Sequence, residues 1–146
     1  MDNRGVMVID LIFATLLIII VAGSIITVVS DRIDTASQTE ELSKARMTAN
    51  NVAESINKVY SSGTGHFANI SLPNNITGKE YCMEVNSSGV YITIGGMMGK
   101  AHITPKKISN SYRLDESQIT MRCGSTYLIR NVNGSDGYNW IVITQS

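Results

Sequence analysis

A long apolar run lies near the start of the chain: residues 6–30 read VMVIDLIFATLLIIIVAGSIITVVS. Asp10 is its only charged residue, and no charge occurs from Leu11 to Val29. A run of about 20 apolar residues spans the ~30 Å hydrocarbon core of a bilayer as a helix. Lipid offers no hydrogen-bond partners, so the backbone must satisfy its own polar groups, which requires a helix. The run therefore predicts one membrane-spanning helix over residues 6–30.

Two ordinary interpretations of such a run are a cleaved secretory signal and a simple membrane anchor. A secretory signal has an apolar core of about 7–15 residues followed by small residues at the cleavage site. Ala22-Gly23-Ser24 provides small residues, but strongly apolar residues continue after it. A simple anchor does not explain the residues at the start of the run.

The chain begins with a five-residue leader, MDNRG, which ends in Arg4-Gly5 directly before the apolar run. Asp10 is the fifth residue after Gly5. A carboxylate within an apolar span costs about 2.5–3.5 kcal/mol at the helix centre and less near its end. We therefore expect Asp10 to have a partner or a function.

At these residues the chain resembles the type IV prepilin family, particularly archaeal pilins with class III signal peptides. In that family a short leader ends in Gly or Ala after a basic residue, and a membrane aspartyl peptidase cuts there on the cytoplasmic side. An acidic residue stands fifth in the mature chain. The resemblance implies cleavage between Gly5 and Val6 and a role for Asp10 in assembly. Two residues depart from the family pattern: Asp10 replaces the commoner Glu, and Val6 replaces the Phe, Met or Gln often found there. These departures affect which subfamily the chain resembles and which peptidase would cut it.

Cleavage after Gly5 creates an α-amino group on Val6 that is mostly protonated at neutral pH. A cation and a carboxylate cost less free energy in an apolar environment when they are paired. Staggered subunits in a helical filament bring the amine of one chain towards Asp10 of its neighbour. On this hypothesis, which rests on position and on the resemblance, Asp10 sets the axial register of the filament.

The resemblance also implies where the chain is found and what it contacts. The precursor is expected in the cell membrane as a single-pass protein with a cytoplasmic N-terminus and an external head. Its expected partners are a prepilin peptidase, a pilus assembly platform and other pilin subunits, with a homopolymer as the product. The mature chain is then expected in an extracellular pilus that serves functions such as cell adhesion.

Residues 31–62 predict a continuation of the helix that is amphipathic rather than apolar all round. Apolar residues recur at spacings of three and four, as on one face of a helix: Leu42, Ala45, Ala49, Val52, Ile56 and Val59. The Ser61-Ser62-Gly63-Thr64-Gly65 cluster is expected to end the helix. The stripe predicts docking against a globular head, and a coiled-coil stalk is the alternative.

From residue 63 to the C-terminus the sequence predicts a β-rich head, so the expected fold class is α+β with an antiparallel sheet. Alternating segments with period two indicate strands: Tyr81–Val85, Val90–Ile94, Ala101–Thr104 and Ile119–Cys123. Two later runs, 127–132 and 138–144, are also β-prone. Turn signals separate several of them: Asn86-Ser87-Ser88-Gly89, Gly95-Gly96, Asn133-Gly134 and Asp136-Gly137. We expect an antiparallel meander packed on the amphipathic helix.

Both cysteines of the chain, Cys82 and Cys123, fall in strand-like segments of this head. An extracellular location favours a disulfide between them, because such bonds persist in oxidising environments. The alternative is two separate buried thiols.

The head also carries four N-x-S/T sequons, several of them beside expected turns. Their asparagines are candidates for N-glycosylation: Asn69, Asn75, Asn86 and Asn133. Archaea attach N-glycans to pilins of this family, so the resemblance strengthens the expectation that at least one is occupied.

The net charge and the absence of known motifs argue against several other functions. The formal net charge is zero, which argues against nucleic-acid binding because that requires a basic surface. No catalytic motif or His/Cys cluster with metal-ligand spacing is present, so we expect no enzyme activity, cofactor or metal. The leading hypothesis is a structural pilus subunit. A minor pilin-like, membrane-anchored adhesin is the main alternative, and an archaellin is a further one that Asp10 fits less well.

Overall fold

The N-terminal part of the protein is a single helix, α1, which runs from Asn3 to Ser61. The structure is a computed structural model, and it describes the backbone of residues 3–146 and the side chains of residues 9–146. The predicted long helix is confirmed. The chain divides into two units, the first ending at Thr39 and the second running from Glu40 to Ser146. Helix α1 therefore contributes residues to both units.

In the first unit, every described side chain of α1 is exposed, from Ile9 to Thr39. This part of the helix contains one segment long and apolar enough to cross a membrane. The polar residues from Asp31 onwards are equally exposed. Burial of α1 begins at Glu41 rather than at residue 31, where the amphipathic segment was expected to start.

In the second unit, α1 buries one regular face. The buried residues of this face are Ala45, Ala49, Val52, Ala53, Ile56 and Val59. The predicted stripe is confirmed at every position except Leu42, which is only half-buried, while Glu41 beside it is buried. Three alanines on this face keep the helix backbone close to the surface that it covers.

The end of α1 is set by a glycine and by an asparagine from a distant strand. Gly63 has φ of +89°, a left-handed conformation in which a side chain is strained. Its N–H donates to Tyr60 O at 3.2 Å. The Asn131 side chain is buried, and its Nδ2 donates to Val59 O at 3.2 Å and to Tyr60 O at 3.1 Å. These bonds satisfy carbonyls that lack partners at a helix C-terminus.

The rest of the second unit is built from eight strands. They are β1 (Phe67–Ser71), β2 (Tyr81–Asn86), β3 (Gly89–Ile94), β4 (Met97–Ala101), β5 (Ile108–Ser109), β6 (Ile119–Met121), β7 (Thr126–Asn133) and β8 (Asn139–Gln145). They form two four-stranded sheets, with strand orders β1-β7-β8-β5 and β4-β3-β2-β6. All neighbouring strands are antiparallel except β5 and β8, which are parallel.

The α+β class with an antiparallel-rich head is confirmed, but the single meander is wrong. The meander holds only for β2, β3 and β4, whose turns fall where the Ser87-Ser88 and Gly95-Gly96 signals predict them. The predicted strand at residues 101–104 is displaced, because β4 ends at Ala101. Strands β1 and β5 were not predicted.

One continuous core joins α1 to both sheets. Inward-facing residues of β2 and β3, such as Met83 and Ile92, belong to the same cluster as Ile56 of α1 and Ile129 of β7. Polar contacts fix the helix on this core. The Asn57 side chain accepts a hydrogen bond from Thr104 N at 2.7 Å.

At Gly99 a side chain of α1 packs directly on strand β4. A Cβ at Gly99 would lie 2.8 Å from Cγ of Arg46 and 3.0 Å from Cγ2 of Ile92. Because both distances are shorter than normal carbon contacts, only glycine lets the Arg46 side chain cross β4 at this point.

Candidate membrane and assembly segment

The exposed apolar part of α1 is the main candidate functional segment. Its large side chains are more than half exposed, including Phe13, Ile19 and Ile26. No residue of the 18-residue apolar stretch suited to span a membrane is buried in the protein. This surface is thus free to contact lipid or other helices, and a long apolar helix of this kind can anchor a chain in a membrane.

Three hydroxyl groups within this segment donate to carbonyls of the helix itself. Thr15 Oγ1 donates to Ile12 O at 2.9 Å, Ser24 Oγ to Ile20 O at 2.9 Å, and Thr27 Oγ1 to Gly23 O at 3.1 Å. A hydroxyl with such a partner costs much less in an apolar medium than one without. These residues were not singled out from the sequence, although a hydroxyl residue in an apolar helix already indicates bonding to the carbonyl of the preceding turn.

Asp10 differs from these hydroxyl residues. Its side chain is exposed, and none of the side-chain hydrogen bonds or ion pairs among residues 9–146 involves it. Asp10 is therefore the one charged group of the apolar run, and no described side chain pairs with it. The predicted cleavage residues Arg4, Gly5 and Val6 lie outside the part of the chain whose side chains are described, so their roles stay predictions.

The small-residue patch at the middle of the run is also open. A Cβ at Gly23 would meet nothing within 4 Å other than the backbone of its own helix. The surface beside Gly23 is therefore free of other side chains. Small residues permit close approach of two helices in a membrane or in a helical assembly.

The predicted disulfide is not formed, and this prediction is corrected. Cys82 and Cys123 are both free thiols. Cys82 points to the outer face of β2, between the buried Tyr81 and Met83, because successive side chains of a strand alternate between faces. Cys123 packs against the core on the inner side. The sheet therefore separates the two thiols, whereas a disulfide needs Cβ atoms about 3.5–4.5 Å apart.

Cys123 lies instead in a partly buried polar corner with two tyrosines. Tyr81 Oη donates to Pro73 O at 2.7 Å, and Tyr127 Oη accepts from Arg122 N at 2.6 Å. Burial raises the pKa of Tyr81 to about 12, and the neighbouring Cys123 and Tyr127 add to the effect. The Tyr81 side chain is therefore neutral at physiological pH.

All four sequon asparagines lie at the surface of the head. Asn69 is exposed in the middle of edge strand β1, Asn75 is exposed in the loop that follows, and Asn133 is exposed at the end of β7. Asn86 is half-buried, and its Oδ1 accepts from Ser88 N at 2.8 Å. Their modification stays a prediction.

No three His, Cys, Asp or Glu side chains between residues 9 and 146 come close enough to hold a metal ion. Comparisons with protein families, with characterised proteins and with solved structures give no match. The functional argument therefore rests on the residues and geometry of this chain.

Proposed function

We propose that the chain is a structural subunit of a type IV pilus-like extracellular filament. One observation carries the proposal: α1 leaves a long apolar surface fully exposed, while its following residues are built into a head with its own core. A surface of this size needs an apolar environment. Lipid supplies it to the precursor, and neighbouring helices supply it in the filament.

In this proposal, removal of the leader precedes assembly. A prepilin peptidase cuts between Gly5 and Val6 at the cytoplasmic membrane face, and the assembly platform then moves the subunit from the membrane into the filament. The amine of Val6 pairs with Asp10 of a neighbouring subunit. This pairing fits the absence of any partner for Asp10 among the side chains that the structure describes.

The first experiment maps the N-terminal peptide of the chain in sheared filaments by mass spectrometry. The full chain is co-expressed with a prepilin peptidase and an assembly platform. We expect the mature peptide to begin at Val6, and Gly5→Leu to leave uncut precursor in the membrane fraction. Filaments that contain intact Met1 would falsify the prepilin assignment.

The second experiment separates assembly from folding with a matched pair of variants. Asp10→Ala should strongly reduce filament yield without changing the amount of subunit in the membrane fraction, and Asp10→Glu should restore the yield. Asp31→Ala removes a carboxylate from the same helix just beyond the apolar run, and it should leave the yield unchanged. Equal yields from Asp10→Ala and the unmodified chain would rule out the pairing with Val6.

A further inference from the structure

Two strand edges in the head have no partner strand where they approach each other. Strand β5 pairs with β8 only at Ile141 and Val142, so Ile143–Gln145 have β7 on one side and no strand on the other. Strand β6 pairs with β2 alone and forms the edge of the second sheet. Unpaired edges of this kind are templates for the addition of another strand.

A groove of about 390 Å³ separates these two edges. Ile119 and Thr120 of β6 line one side, and Ile143–Gln145 of β8 line the other. The volume lies within the range of about 300–1,000 Å³ typical of ligand sites. We name it the edge groove.

The backbone of β8 offers hydrogen-bonding groups to this groove. Ile141 N donates to Lys107 O on the β5 side, whereas Ser146 N donates to Thr126 O on the opposite side. Because backbone groups alternate along a strand, those of Ile143 and Gln145 are directed to the same side as Ile141. Beyond the last pair with β5, this is the side of the edge groove.

The charge in the edge groove has one sign. Arg122 is the only charged residue that lines it, beside several amides and hydroxyls. The Arg122 side chain is exposed, and the ion pairs formed among residues 9–146 do not include it. The backbone N–H of Arg122 donates to Tyr127 Oη. Tyr127 pairs with Gln145 of β8, so Arg122 lies at the Gln145 end of the groove.

We propose that the edge groove binds an extended acidic peptide segment of another protein. The segment adds a strand to the free edge of β8, and one of its carboxylates lies opposite Arg122. Backbone pairing supplies affinity and the charge supplies selectivity, as in other cases of strand addition. The inference is independent of the filament proposal because it concerns only the head.

Binding is measured with the full chain in lipid nanodiscs. The probe is a fluorescein-labelled peptide of about eight residues, alternating Thr and Val with one Glu, and the matched peptide has Gln at that position. An exposed ion pair contributes about 0.2–1 kcal/mol, so we expect the Glu peptide to bind about 1.4- to 5-fold more tightly. Arg122→Gln should remove the difference, whereas Lys100→Gln on edge strand β4 should keep it.

Hydrogen exchange locates the bound peptide. The Glu peptide should slow exchange at the amides of Ile143 and Gln145, while those of β1, another free edge, stay unchanged. Thr120→Trp, an exposed position on the groove wall, should abolish binding, and unchanged exchange in β2 and β3 verifies that this variant is folded. Absence of binding, equal affinity for both peptides, protection of β1 instead, or self-association of the chain in place of peptide binding would each overturn the proposal.

Discussion

The two parts of α1 have the same secondary structure but different stabilising environments. From Ile9 to Thr39 every side chain is exposed, and over residues 9–30 the apolar residues surround the helix. From Glu41 to Ser61 one narrow face is buried, and its residues are smaller. A helix in lipid needs apolar character all round, whereas a helix docked on a sheet needs one stripe. The onset of burial at Glu41 therefore marks a change of surroundings within a continuous helix.

The largest expected difference between the two parts comes from matched truncations of isoleucine. Ile56 is fully buried, and Ile56→Ala should lower the free energy of unfolding of the head by about 2–5 kcal/mol, because it leaves a cavity. Ile26 is 67% exposed, so Ile26→Ala should leave this quantity unchanged. Denaturant unfolding of the full chain in detergent, followed by Trp140 fluorescence, measures both. Similar losses would show that the apolar part also supports the head.

A smaller effect is expected at the end of the docked part. Asn131→Ala removes both side-chain hydrogen bonds to the last turn of α1 and leaves buried carbonyls without those donors. The loss should be about 1–3 kcal/mol, with fraying of α1 near Val59 visible as faster hydrogen exchange. The exposed Asn139 is the control, because Asn139→Ala removes only a surface bond from Thr64. If both variants are equally stable, the cap does not hold the helix end.

The smallest effect is expected where the docked part begins. Glu41 is buried and forms an ion pair with Lys79 at 2.7 Å, whereas Glu40 beside it is exposed and pairs with Lys44 at 2.6 Å. Lys79→Gln should cost about 1 kcal/mol, since the Glu41 carboxylate loses its cation, and Lys44→Gln should cost nothing measurable. Unfolding at two salt concentrations tests the pair. An equal response of both variants would place Glu40 and Glu41 in the same environment.

The sequence predicted the elements whose signals are local. The apolar run, the stripe of α1 and the turns after Asn86 and Ile94 all follow from the spacing of nearby residues. Strand β5 has only two residues and exists because Ile108 reaches Ile141, a contact that no local pattern encodes. The partition into two sheets depends on pairing partners in the same way.

The error at the cysteines and the missed edge groove have the same origin. Cys82 and Cys123 both lie near strands, but only the register of β2 against β6 reveals that they face opposite sides of the sheet. The edge groove exists because β5 ends at Ser109 while β8 continues to Gln145. Both features depend on which distant segments pair and in which register. The alternation of residues within one strand does not contain this information.

The internally bonded hydroxyls of α1 bear on the proposed transfer of the apolar part from lipid into a filament. Thr15, Ser24 and Thr27 use carbonyls of their own helix, so their hydrogen bonds are the same in lipid and among protein helices. Transfer between the two media then exchanges mainly dispersion contacts, which have no preferred direction. Such a helix can rotate and slide until its neighbours fit. Over residues 9–30, Asp10 is the one charged side chain, so its pairing with a cation would favour a single position.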